Sequence, residues 1–235
     1  DPGHVDIPDL HRVGFPLAEV DAEGGAVLTK LEGTGGRVDR LSCTAQLLYE
    51  VEDPAAYLQA DVTGDFSGVR FEQEGQDRVR VWGAAGTPRP DLLKASVGYL
   101  DGYMGEGQIS YAGPGARARG ELALAVLQQR LADQRLFSPG QVGDVRAELV
   151  GVNAMHGPFL GQNHDPYEVR VRLAARCTTA AVAARIGQEV EALYLNGPAG
   201  GGGVTQSVRE VVAVASTLVP RQAAAPRVEI MEWSA

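Results

Sequence analysis

Hydrophobic and polar positions alternate most strictly from Tyr167 to Leu173. Tyr167, Val169, Val171 and Leu173 fall on one side, and Glu168, Arg170 and Arg172 on the other. A period of two predicts a strand with one buried and one polar face, the habit of antiparallel sheets. The period then becomes helical at Val182, Ile186, Val190 and Leu193, with Thr178 or Thr179 placed to cap. A longer helix is predicted from Gly115 to Arg135 on the stripe Leu124, Leu127 and Leu131, stopped by Ser138-Pro139-Gly140. Strands are predicted over Lys94 to Asp101, Val145 to Val152 and Val208 to Val219, and a short one near Val228 to Met231. Residues 93–219 therefore read β-α-β-β-α-β, the ferredoxin-like order. The fold class predicted is α+β, an antiparallel sheet with helices on one face.

A small β-rich segment precedes it. Ala26 to Lys30 is a strand candidate, and Leu41 to Val51 carries Leu47, Leu48 and Val51 at helical spacing. Ser42 or Thr44 would cap that helix and Asp53-Pro54 would end it. Residues 68–83 read as a hairpin turning at Glu74-Gly75-Gln76. The domains expected are residues 1–92 and 93–235.

Composition narrows the function classes. The chain has 235 residues, 44% hydrophobic, with a formal charge of −9. Such a balance argues against phosphate-neutralising nucleic-acid binding and against docking on an anionic membrane. No apolar stretch approaches the ~20 residues that span a bilayer. Cys43 and Cys177, the only cysteines, form neither a disulfide framework nor a metal-ligand spacing, so no metal is predicted and a reducing cytoplasm is expected.

Four segments could carry chemistry. Gly200, Gly201, Gly202 and Gly203 lie between Asn196 and Arg209. Ordering them costs roughly 4–8 kcal/mol, so the run is either a mobile linker or a place where an anion rests on backbone N–H groups. The 153–165 loop holds His156 and His164, two of the four histidines. His156, held by Asn153 or Asp165, would suit proton transfer; the alternative is a polar connection between strands. Glu106, in Gly102-Tyr103-Met104-Gly105-Glu106-Gly107, would be an acid or base in a glycine-lined pocket, or a solvated carboxylate. Arg117 and Arg119 open a helix after Gly113-Pro114-Gly115, where the helix dipole disfavours cations unless an anion sits nearby. Lys30 precedes Gly33-Thr34-Gly35-Gly36, the wrong order for a phosphate loop.

Together these segments resemble the acyclic terpene utilisation (AtuA-like) family. The residues that carry the likeness begin with Val13-Gly14-Phe15-Pro16-Leu17-Ala18-Glu19-Val20 and Lys30 with Gly33-Thr34-Gly35-Gly36. Gln46-Leu47-Leu48-Tyr49-Glu50-Val51, Tyr111-Ala112-Gly113-Pro114-Gly115 and Gly151-Val152-Asn153 through His156-Gly157 follow. Last come Tyr167-Glu168-Val169-Arg170 and Asn196-Gly197-Pro198-Ala199 with the glycine run. The resemblance implies a C-terminal half only, working with an N-terminal α/β half or an equivalent chain in a homo- or hetero-oligomer. It also implies breakdown of branched terpenoid acids as acyl-CoA intermediates, with the CoA moiety as the one cofactor-like group. Two functions follow. One is half of a lyase- or hydratase-type enzyme in which His156 moves the proton, Asn153 orients it and the glycine run holds an anion. The other is a non-catalytic assembly half completing a partner's site, with natural-product biosynthesis as a setting.

Overall fold

A computed structural model describes residues 7–49, 51–133, 136–157, 164–224 and 227–231. Pro158 to Asn163, the middle of the candidate histidine loop, lie outside them. The protein is mixed α+β with antiparallel sheets, and it divides into two units, Asp1–Ser96 with Ser216–Ala235, and Val97–Ala215.

In the first unit, β1 (Leu17–Val20), β2 (Ala26–Thr29), β5 (Arg70–Gly75) and β6 (Arg78–Trp82) form a sheet in the order β1-β2-β6-β5. A smaller sheet joins β3 (Tyr57–Leu58), β4 (Val62–Asp65) and β7 (Ala85–Pro88). The expected hairpin is β5 and β6, pairing Phe71 with Val81. Its turn falls one residue later than expected, because Asp77 takes the left-handed conformation at φ 53°. Helix α1 spans Arg40–Leu48. Its cap is Asp39, not Ser42 or Thr44. The Asp39 carboxylate accepts the Ser42 N–H at 2.8 Å and the Ser42 hydroxyl accepts the Asp39 N–H at 3.0 Å, a reciprocal box. Only Val27 and Val79 are buried apolar side chains among the described residues of this unit.

The second unit is built on β8 (Leu92–Ala112), β9 (Val142–Val150), β10 (Glu168–Cys177) and β11 (Gly201–Pro220), in the order β11-β8-β10-β9. Helices α2 (Ala116–Ala132) and α3 (Ala180–Glu191) are followed by the short α4 (Leu193–Asn196). The helical stripes fall where the periodicity puts them: Val182, Ile186, Val190 and Leu193 are buried, as are Leu124 and Leu127. They close on Ile109, Tyr111, Leu149, Val169, Val171 and Leu173. Thr179 caps α3 by accepting the Val182 N–H at 3.2 Å. Tyr167 is 77% exposed, because the strand begins one residue after it. Val228 to Met231 form no strand.

The largest departure concerns the expected loop from Gly102 to Gly107, which is the middle of β8. A Cβ on Gly105 would stand 2.2 Å from the Ala183 carbonyl oxygen, and one on Gly107 would stand 2.7 Å from a Val190 methyl. The glycines let α3 lie against the strand backbone, a known use of glycine inside strands.

Candidate functional site

Three places in the molecule gather chemically useful groups. The first is the end of the second unit's sheet where β8 leaves, β10 enters and the glycine run begins. The Gly113 N–H donates to the Tyr167 carbonyl at 2.8 Å. Arg117 donates to the His164 carbonyl and pairs with Glu121, both at 2.8 Å. Arg119 reaches the carbonyls of Ala112 at 2.7 Å and Ala199 at 3.0 Å, with its guanidinium 5.9 Å from the centre of the Tyr111 ring. The first-turn arginines thus have internal acceptors, which is why they tolerate that end of the helix dipole.

The same contacts order the glycine run. Gly200 has φ 81°, and a Cβ there would stand 2.8 Å from Arg119 Nη1. A Cβ on Gly201 would stand 2.8 Å from Ile109 Cδ1 and 3.2 Å from the Tyr111 hydroxyl, itself buried and without a hydrogen-bond partner among the described residues. Gly203 has φ 65° and offers its carbonyl to Arg170 at 3.2 Å. Gly202 has open space beside it. Gly201, Gly202 and Gly203 begin β11, and Gly200 and Gly201 stand against side chains of the same unit. Asn196, at the end of α4, is exposed, and its N–H bonds the Ala192 carbonyl at 3.1 Å.

His156 lies at this end too, exposed in the turn after β9. Asn153 does not hold it. The Asn153 side-chain oxygen accepts the Leu149 N–H at 2.8 Å and its carbonyl accepts the Gly157 N–H at 3.0 Å, so it closes the turn.

The second place is the sheet face away from α2 and α3. Glu106 and Arg209 belong here, apart from the glycine end; Glu106 stands six residues before Ala112, about 20 Å along the strand. Arg172 donates to Glu106 at 2.6 Å and to Glu148 at 2.8 Å. Arg170 donates to Gln108 at 2.5 Å, Ser110 at 2.8 Å and Thr205 at 2.9 Å. Arg176 pairs with Asp101 and, at 2.9 Å, with Asp144. The Arg172 guanidinium holds the Glu106 carboxyl below its ordinary range against the opposing effect of burial, helped by the Gln108 amide and the Arg209 charge. An ionised, arginine-bound carboxylate suits pairing and is a poor proton donor at neutral pH. Gly105 and Gly107 face α3, on the other side of the sheet, and so do not line a pocket with Glu106.

The third place was missed from sequence. The first unit carries a partly open apolar pocket of about 670 Å³, lined by residues that include Leu28, Leu47, Phe66, Phe71 and Val81, with Lys30 and Cys43 also at its lining. Lys30 Nζ donates to the carbonyls of Thr34 and Gly36 at 2.8 Å each and lies 3.5 Å from Asp77. Its ammonium closes the Gly33–Gly36 loop, so the loop binds the lysine and no phosphate geometry arises. Burial pushes the Cys43 thiol up, keeping it protonated. The walls come from helix, loop and both sheets, and no local period marks such a set. The one usable signal was a cysteine beside an apolar helix face.

The protein is thus of the α+β class, with a glycine-bearing antiparallel sheet in its second unit and an apolar pocket in its first. The chain belongs to the AtuA family: the family model described as "Acyclic terpene utilisation family protein AtuA" matches residues 1–230. The match covers essentially the whole chain and takes in both units, where the resemblance had implied a C-terminal half alone. No curated protein and no solved structure matches the chain. No helix among the described residues is long and apolar enough to cross a membrane.

Proposed function

We propose that the protein acts in the metabolism of branched, acyclic terpenoid acids, holding the hydrocarbon chain of the acid or of its CoA thioester in the cavity of the first unit. The observation that carries this is the cavity itself. Its volume lies within the roughly 300–1,000 Å³ of ligand pockets, and its walls are apolar. Family membership supplies the substrate class. The working form is an assembly with a further chain, of the α/β kind the resemblance implied. Large exposed side chains of the first unit support it, Phe15 at 92%, Val20 at 69% and Leu41 at 59%. Lyase- or hydratase-type chemistry, with His156 as the proton carrier, is proposed for the second unit taken by itself. For the second unit, the strand order β11-β8-β10-β9 supports the ferredoxin-like arrangement.

Cys43 makes the binding claim testable. Cys177 is 3% exposed, so Cys43 is the thiol open to reagents. Alkylation of the native protein by a maleimide is expected to slow at least about tenfold when a branched ten-carbon acid fills the cavity at saturation. An unchanged alkylation rate, with the acid shown by calorimetry not to bind, would remove the cavity from the function.

A further inference from the structure

The two edges of the second unit's sheet are built differently. The β9 edge is blunted: the register shifts between Ala174 and Arg176, Asp144 sits at φ 44°, and Asp144, Arg146 and Glu148 put charges along the strand. Bulges and charges of this kind keep an edge from pairing with another chain. The β11 edge lacks them beyond Glu210. From Val211 to Ala215 it reads Val-Val-Ala-Val-Ala, without charge, glycine or proline. Val208, Val212 and Val214 are 44%, 64% and 67% exposed. Among the described residues β11 pairs with β8 alone. Only its beginning is covered, where the Tyr194 hydroxyl accepts the Val204 N–H at 3.1 Å.

We infer that this edge is the contact between two copies of the chain, β11 pairing antiparallel with β11 of a second copy across a two-fold axis at Val212. The hydrogen-bonding direction agrees. The Val204 N–H points away from β8, and the two-residue repeat of a strand sends the N–H groups of Val208, Glu210, Val212 and Val214 the same way. The charges set the register. A two-fold axis at Arg209 or Glu210 would oppose like charges, and nearer the start Tyr194 occupies the edge. An axis at Val212 sets Glu210 opposite Val214, Arg209 opposite Ala215 and Val211 opposite Ala213. No charge then meets its like. Seven paired residues make about 24 Å of continuous ladder, and a two-fold contact consumes the β11 edge of each copy. A strand from a different protein is the competing occupant; the self-matched register favours a second copy.

Sedimentation velocity on the full chain is expected to show a dimer. Val212→Pro deletes an N–H on the open side while sparing the ladder to β8, so it should give a monomer with an unchanged circular dichroism spectrum. Should that variant misfold, Val212→Lys keeps the backbone, sets two ammonium groups against each other and should raise the dimer dissociation constant at least about tenfold. Register is read by oxidation. Val212→Cys brings its two copies about 5.5 Å apart at Cα and should cross-link, while Glu210→Cys should stay at the wild-type background. A wild-type chain monomeric at about 100 µM would overturn the proposal. So would a dimer indifferent to Val212→Lys, or one that cross-links through Glu210→Cys.

Discussion

The two units bury their apolar residues very unequally. Val27 and Val79 are the buried apolar side chains of the first, whereas the second encloses a continuous core from Ile109 to Leu193. The first unit nevertheless holds the apolar cavity. Close packing and binding space draw on the same resource, buried apolar surface, and here each unit favours one of them. Sites that accept ligands are drawn from the less stable parts of a fold. Under the proposed function the well-packed unit would be the rigid part, and the first unit the part that responds to a ligand.

The strongest attack on this contrast is Gly105→Ala. The added methyl meets the Ala183 carbonyl, a backbone atom that cannot turn aside, so the second unit should lose about 3 kcal/mol or more. Hydrogen exchange should show α3 and β10 losing protection while β2 and β6 keep theirs. Equal loss in both units would mean that they fold as one, and the contrast would fail.

Arg172→Met is expected to be milder, lowering the second unit's stability by about 1–3 kcal/mol because Glu106 and Glu148 lose a shared, half-buried cation. The sign with pH follows from the lowered pKa of Glu106. Its stabilising effect is complete above the unfolded carboxylate range and fades as pH falls through the lower folded value. Denaturant melts of the wild type should therefore weaken below about pH 4, and the variant should lose less on the same acidification. His156→Ala should disturb the fold least, since the ring is exposed, and leave the melting temperature essentially unchanged. In the assembled protein it should cut turnover by at least about a hundredfold; wild-type turnover would end the proton-carrier role.

Elements with a clean period were legible: β10, α3 and the β5–β6 hairpin stand close to where alternation and helical spacing put them. What misled were the glycines. Gly105 and Gly107 looked like loop residues because glycine weakens a strand on its own, yet here the gain comes from α3 lying close, a contact distant in sequence. Gly200 to Gly203 looked costly to order for the same reason, and Arg119, Ile109 and Tyr111 supply the packing that no local reading contains. Arg117 reads from sequence as calling for a nearby anion, because Glu121 and the His164 carbonyl can be named as acceptors only once the chain is folded. The pocket was hardly legible, since its lining joins segments far apart in the chain, from Val13 to Val81.

Lys30 has one further consequence. Its side chain is 16% exposed, with the ammonium engaged by the Gly33–Gly36 loop, and Lys94 is the only other lysine in the chain. Thioesters acylate free amines without any catalyst, and guanidinium groups, protonated at every physiological pH, are spared. Under the proposed role Lys30 would therefore be a poor target for a thioester, and the exposed Lys94 a better one.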